Sequence, residues 1–117
     1  MIYVKNIDWI VAYDPTEARV LITNDHMEIL CYAQPCTYME GDKISNSLYC
    51  YQTGLTVQYP NNVYMIKHLN GYKYHIIGKV SNDNTVQVED YSFIGLTLPK
   101  DIKTGDYIEF FCDRIDL

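Results

Sequence analysis

Short runs in which apolar and polar residues alternate, separated by turn-forming residues, cover most of this chain. Period-two alternation sends successive side chains to opposite faces of a strand. Ile7, Trp9, Val11 and Tyr13 alternate with Asp8, Ile10 and Ala12 until Asp14-Pro15-Thr16 interrupts them. Arg19 to Thr23 and Met27 to Ala33 form the next two runs, and Pro35 stops the second. Asn24-Asp25 between them offers a two-residue hairpin turn, because Asn and Asp tolerate positive φ.

Glu40-Gly41-Asp42-Lys43-Ile44 reads as a turn leading into a strand. Leu48 to Tyr51 and Leu55 to Tyr59 are strand-like, with Gly54 as a bulge or bend between them. Val63 to Leu69 and Tyr72 to Val80 flank Asn70-Gly71, the strongest short hairpin signal in the chain. A two-residue loop there sets Leu69 opposite Tyr72, Lys67 opposite Tyr74 and Met65 opposite Ile76. Those side chains, continuing through Val80, form the core face. Tyr64, Ile66, His68, Lys73, His75 and Ile77 form the wetter face. A short helix over Val63 to Leu69, capped by Gly71, competes with this reading, but Val, Tyr and Ile favour strands.

Ser81-Asn82-Asp83-Asn84 reads as another hairpin turn, followed by Thr85 to Glu89. Pro99 to Asp106 is a loop, and Tyr107 to Ile115 is the last strand. The sum is about eight short strands with little helix. It predicts an all-β domain over residues 1–117, a small closed or nearly closed antiparallel β-barrel of OB-like or SH3-like type. Closure would leave no exposed edges.

Two stretches, Tyr38-Met39-Glu40-Gly41-Asp42-Lys43-Ile44 and Lys103-Thr104-Gly105-Asp106-Tyr107-Ile108-Glu109-Phe110, enter an apolar strand through Gly-Asp. Each resembles the strand entry of small bacterial β-barrels of the OB-fold type, an entry that SH3-like barrels share. The resemblance implies a barrel and brings no functional residues with it. The chain departs from the usual OB pattern in lacking a helix, unless the Val63 region supplies one.

Composition narrows the class. Of 117 residues 48% are hydrophobic and 21% charged, enough apolar chain to build a core and exclude long disorder. A net charge of −6 and an isoelectric point near 4.8 argue against duplex nucleic acid and anionic membranes as partners. No apolar run reaches membrane-spanning length and no secretory signal is recognisable, so a cytoplasmic location is expected.

Candidate chemistry is sparse. Cys31, Cys36, Cys50 and Cys112 form no Cys-x-x-Cys pair, and Cys31, Cys50 and Cys112 lie in strand-like apolar runs, which points to buried thiols. No nucleophile elbow, phosphate loop or dinucleotide fingerprint is present. His26 sits beside a turn and reads as exposed. In the two-residue register His68 and His75 lie diagonally on one face, but a metal would need a third ligand, and no Cys, Asp or Glu side chain lies near them in sequence. Glu89-Asp90, and Asp113 with Asp116, lack calcium-loop spacing. The expectation is a protein without enzymatic activity, cofactor or metal.

Charge is unevenly placed. From Lys43 to Asn82 there are four lysines and no acid, so that stretch carries +4 and the remainder −10. The same stretch holds Tyr49, Tyr51, Tyr59, Tyr64, Tyr72 and Tyr74. Tyr offers interface area at low entropic cost. The predicted binding patch is Tyr64, His68, Lys73, His75 and Lys79, and a separate acidic rim comprises Glu89, Asp90, Asp106, Glu109, Asp113 and Asp116. The expected role is a non-enzymatic module that docks a basic protein, such as an inhibitor or immunity-type protein. The rivals are an OB-like binder of single-stranded nucleic acid or a small ligand, and an oligomeric structural subunit.

Overall fold

The computed structural model describes residues 1–10 and 16–117, without the side chain of Asp83. Strands take up 52% of these residues and helix 2%. Among the described residues there are eleven strands: β1 Ile2–Trp9, β2 Ala18–Thr23, β3 Glu28–Ala33, β4 Lys43–Ile44, β5 Leu48–Thr53, β6 Val57–Gln58, β7 Met65–His68, β8 Tyr74–Val80, β9 Val86–Val88, β10 Tyr91–Ile94 and β11 Tyr107–Asp116. A single 3-10 turn, Asn82–Asn84, joins β8 to β9.

The long last strand organises the others. Ile108, Phe110 and Cys112 alternate into the core, Asp113-Arg114 breaks the alternation, and Ile115 returns inward. On one edge β8 pairs with residues 107–112 of β11, and β3 joins at Asp116. On the other edge β5 pairs with residues 114–116, the Gly54 N–H bonds to the Phe111 carbonyl at 3.0 Å, and β6 pairs at Ile108 and Glu109. Residues 49–59 thus run antiparallel along nearly all of β11, interrupted between Thr53 and Val57, where the sequence placed a bulge or bend at Gly54. The circuit β11–β5–β10–β9–β8–β11 closes a five-stranded barrel, with β5 and β10 parallel and the other contacts antiparallel. An all-β barrel is therefore present, and its form is consistent with the OB-like expectation.

Closure does not remove every edge. β3, β2, β1 and β4 extend the sheet away from β11, and β7 hangs on β8 outside the circuit, so β4 and β7 end the strand order. One hydrophobic core runs through both parts, from Val4, Val20, Ile22 and Ile29 to Tyr91, Phe93, Phe110 and Ile115. Two tyrosine hydroxyls tie them together: Tyr91 donates to the Met27 carbonyl at 2.8 Å, and Tyr74 accepts the Leu30 N–H at 2.7 Å. All four cysteines are buried and free.

The two Gly-Asp entries have the same local structure. Gly41 and Gly105 take φ of +88° and +97°, where L side chains are strained. Asp42 accepts the Met39 N–H at 2.8 Å, and Asp106 accepts the Lys103 N–H at 2.9 Å. Gly41 and Asp42 exchange backbone hydrogen bonds with Val4, and Gly105 and Asp106 with Val80, all at 2.8 Å.

Several expectations need correction. The first strand begins at Ile2 rather than Ile7; Val11, Tyr13 and the Asp14-Pro15 break lie outside the described residues. β10 had no counterpart in the sequence reading, and eleven short strands replace about eight. The β2–β3 hairpin pairs Thr23 with Glu28 across a four-residue loop rather than Asn24-Asp25 alone. The Asn24 side chain stabilises the longer loop by accepting the N–H groups of His26 and Met27 at 3.0 and 2.8 Å.

The β7–β8 hairpin is a strand pair rather than a helix, but its loop has three residues. His68 faces Tyr74, Lys67 faces His75, and Met65 faces Ile77, one residue out of the expected register. Type I′ geometry needs positive φ at both loop positions. Only Gly71 takes it, at +58°, while Asn70 stays on the negative side. Because side chains alternate, a one-residue slip sends the whole of β7 to the opposite face. Tyr74, Ile76 and Val80 keep their expected core positions, since β8 is fixed by β11.

Candidate functional site

The slip separates the two histidines. His68 stacks on Tyr74 on one face, centroids 4.9 Å apart, and its Nε2 lies 2.7 Å from the Gly71 carbonyl. His75 stacks on Phe111 on the other face at 4.2 Å and bonds through Nε2 to Glu109 at 3.0 Å. Among the described residues no three His, Cys, Asp or Glu side chains converge as a metal site requires. Nor does any histidine hydrogen-bond a Ser, Thr or Cys side chain there.

Tyr64 and Lys79 come together. They line an open cleft of about 530 Å³ with Gln87, Asn82 and Thr104, and the Tyr64 ring lies 5.6 Å from that of Tyr107. Lys73 is exposed at the end of the hairpin, away from both. The predicted acidic rim is dispersed. Glu89 and Asp90 bind the Asn24 amide at the far end of the β2–β3 hairpin, at 2.9 and 2.7 Å. Asp106 is held in its turn, and Glu109 lies beside His75, so one rim residue meets one patch residue. Asp113 is exposed, and Asp116 binds Arg114 through both oxygens at 2.6 and 3.1 Å.

That last pair belongs to a constellation the sequence reading did not assemble. The Arg114 guanidinium lies 4.3 Å from the Tyr32 ring centroid and 4.5 Å from that of Tyr51, stacked between them while Asp116 clamps its edge. Tyr32 in turn donates its hydroxyl to Glu17 and packs edge-on against Tyr72 at 5.9 Å. Strand register extends the feature into a row. Ile94, Tyr49, Asp116, Tyr32, Arg19 and Asp8 are successive cross-strand partners on β10, β5, β11, β3, β2 and β1, and all point outward. Tyr49 and Tyr51 are 46% and 40% exposed, so both rings are available to a partner. The Tyr49 ring rests on Gly95, where an added Cβ would come within 2.8 Å of it.

The charges of this face are unequal. Arg19 is paired with Asp8 at 2.9 Å and Arg114 with Asp116, so the only two arginines of the chain are neutralised where they stand. Neither Glu17 nor Asp113 forms a salt bridge among the described residues. The face offers aromatic area with a residual negative charge. The signal for Tyr49 and Tyr51 was present in Leu48-Tyr49-Cys50-Tyr51, whose alternation sends both rings outward once Leu48 and Cys50 are core. Comparison with protein-family models, curated proteins and solved structures finds no match for this chain.

Proposed function

We propose that this protein is a non-enzymatic binding module that docks a basic partner protein through the outer face of β5, β11, β3 and β2. The observation that carries the reading is the row from Ile94 to Asp8 with Arg114 stacked beside it. Tyr and Arg dominate the residues on which interface affinity depends, because they offer large, stiff contact area. Neutralised arginines beside Glu17 and Asp113, in a chain of net charge −6, favour a cationic partner and would speed its encounter. An inhibitor or immunity-type protein that occludes a basic enzyme is the concrete form of this role.

A second reading rests on the cleft of Tyr64, Lys79, Asn82 and Gln87, whose ring and amides suit a single-stranded nucleic acid or a small ligand. One lysine is a weak electrostatic basis for nucleic acid, so protein docking ranks first.

The test is recovery of a stoichiometric partner on the immobilised protein from native cell extract. A basic protein released by moderate salt, and associating more slowly with Asp113→Lys, is the expected result. A neutral or acidic partner, or salt-independent retention unaffected by Asp113→Lys, overturns it.

A further inference from the structure

The face is built to receive arginine, and we propose that the partner docks by stacking its own Arg side chains on Tyr49 and Tyr51. This rests on the docking role above and names the chemistry of the partner. Arg114 already occupies such a place: its planar guanidinium lies against two tyrosine rings while a carboxylate takes its N–H groups pairwise. A guanidinium suits this arrangement because it stacks flat and presents its donors in a fixed fork. An ammonium is compact and more strongly hydrated, and gains less from an exposed ring.

Arg114 covers one side of Tyr51, and the ring remains 40% exposed. Tyr49, 46% exposed, lies across the strand pair from Asp116 and rests on the Gly95 backbone. The two rings are therefore supported from beneath by the protein's own structure and open above, so little freedom is lost when a partner covers them. Asp113, beside Arg114 on β11 and exposed, supplies a carboxylate for the incoming donors. The incoming arginines would continue the alternation of ring and guanidinium that Tyr32, Arg114 and Tyr51 begin.

The probes are two fluorescent peptides of equal length and charge, one carrying four arginines separated by glycines and the other four lysines. Binding to the full chain is followed by anisotropy at low salt. The arginine peptide should bind about fivefold or more tighter than the lysine peptide, the preference expected of exposed cation–π contacts at two rings. Tyr49→Leu with Tyr51→Leu should abolish that preference, Tyr49→Phe should keep it, and Tyr64→Leu, in the separate cleft, should leave it unchanged. Unaltered thermal melting of the double variant separates loss of contact from loss of fold. Equal affinity of the two peptides for the wild type overturns arginine stacking and leaves a basic partner in place. Binding of neither peptide overturns both. A preference that survives the double leucine variant places the arginine site elsewhere and overturns this assignment.

Discussion

The hydroxyl of Tyr91 donates to the carbonyl of Met27 at 2.8 Å, joining a barrel strand to the turn of a hairpin that lies outside the barrel. Tyr74 makes the complementary contact, accepting the Leu30 N–H at 2.7 Å. The docking face crosses this junction, since Tyr32 stands on the hairpin and Tyr49 on the barrel. What fixes the hairpin to the barrel also fixes the spacing of the row.

The two hydroxyls are unequal. The Met27 carbonyl also receives Thr23 Oγ1 and the Asn24 N–H, both at 3.3 Å, so Tyr91→Phe leaves it with partners. Tyr74→Phe removes the hydroxyl that Leu30 N–H donates to. We expect Tyr74→Phe to cost about 2–3 kcal/mol and Tyr91→Phe about 1 kcal/mol, because an orphaned buried donor costs more than one lost bond among several. Urea midpoints measure both, and the order of the two variants is the test.

Alkali should unfold the protein through the same residues. Burial pushes the Tyr74 hydroxyl up to about 12, and burial pushes that of Tyr91 up as well. In the unfolded chain both titrate near 10. Below that value neither residue ionises in either state, and stability does not depend on them. Above it the unfolded chain releases protons that the native state retains, so stability falls as pH rises from about 10 toward the folded value of Tyr74. Melting temperature should begin to fall at about pH 8.5 to 9, where the thiols of Cys31 and Cys50 ionise in the unfolded chain and not in the fold, and fall further beyond about 10, this second decline being less steep in Tyr74→Phe.

Glycine is required in two places for different reasons. A Cβ on Gly78 would lie 2.6 Å from Val86 Cγ1, 2.8 Å from Val88 Cγ2 and 2.9 Å from the Gln87 carbonyl, so β8 and β9 would have to separate. Gly78→Ala should cost about 2–4 kcal/mol through overpacking at the barrel seam. Gly71 has open space around it but takes φ +58°, so Gly71→Val is strained by its backbone alone and should cost about 1–3 kcal/mol. Trimming Val86 to Ala should relieve part of the first defect and none of the second in paired thermal melts.

The thiols should be silent until the core opens. Burial raises the Cys31 thiol, the hydrogen bond between Cys50 and Cys112 raises the first and lowers the second, and Cys112 is kept from reagent by its burial in the core. A buried thiol that resists ionisation reacts slowly, since the thiolate is the nucleophile. A thiol reagent should modify Cys31, Cys50 and Cys112 at the rate of unfolding, and denaturant should release four reactive groups. Rapid modification of any of these three in the native protein would contradict the packing described.

Local chemistry made much of this fold legible in the sequence. Alternation marked inward residues of β8, and Gly-Asp marked both strand entries, because these features depend on neighbours one to three positions away. Register was not legible. Asn70-Gly71 announced a hairpin, but a loop of two residues and one of three read alike. The difference carried His68 to the face opposite His75, while the pairing of β8 with β11 brought Glu109 to His75. The closing of β5 on β10 and of β8 on β11 was equally out of reach, because those pairings join residues dozens of positions apart. The row of Tyr49, Tyr32, Arg19 and Asp8 is a property of those pairings. Sequence alone determined that Tyr49 and Tyr51 point outward, since Leu48 and Cys50 must point in. Tertiary structure decided that Arg114 lies between Tyr51 and Tyr32, because only the antiparallel pairing of β11 with β5, beside β3, brings the three side chains within stacking distance.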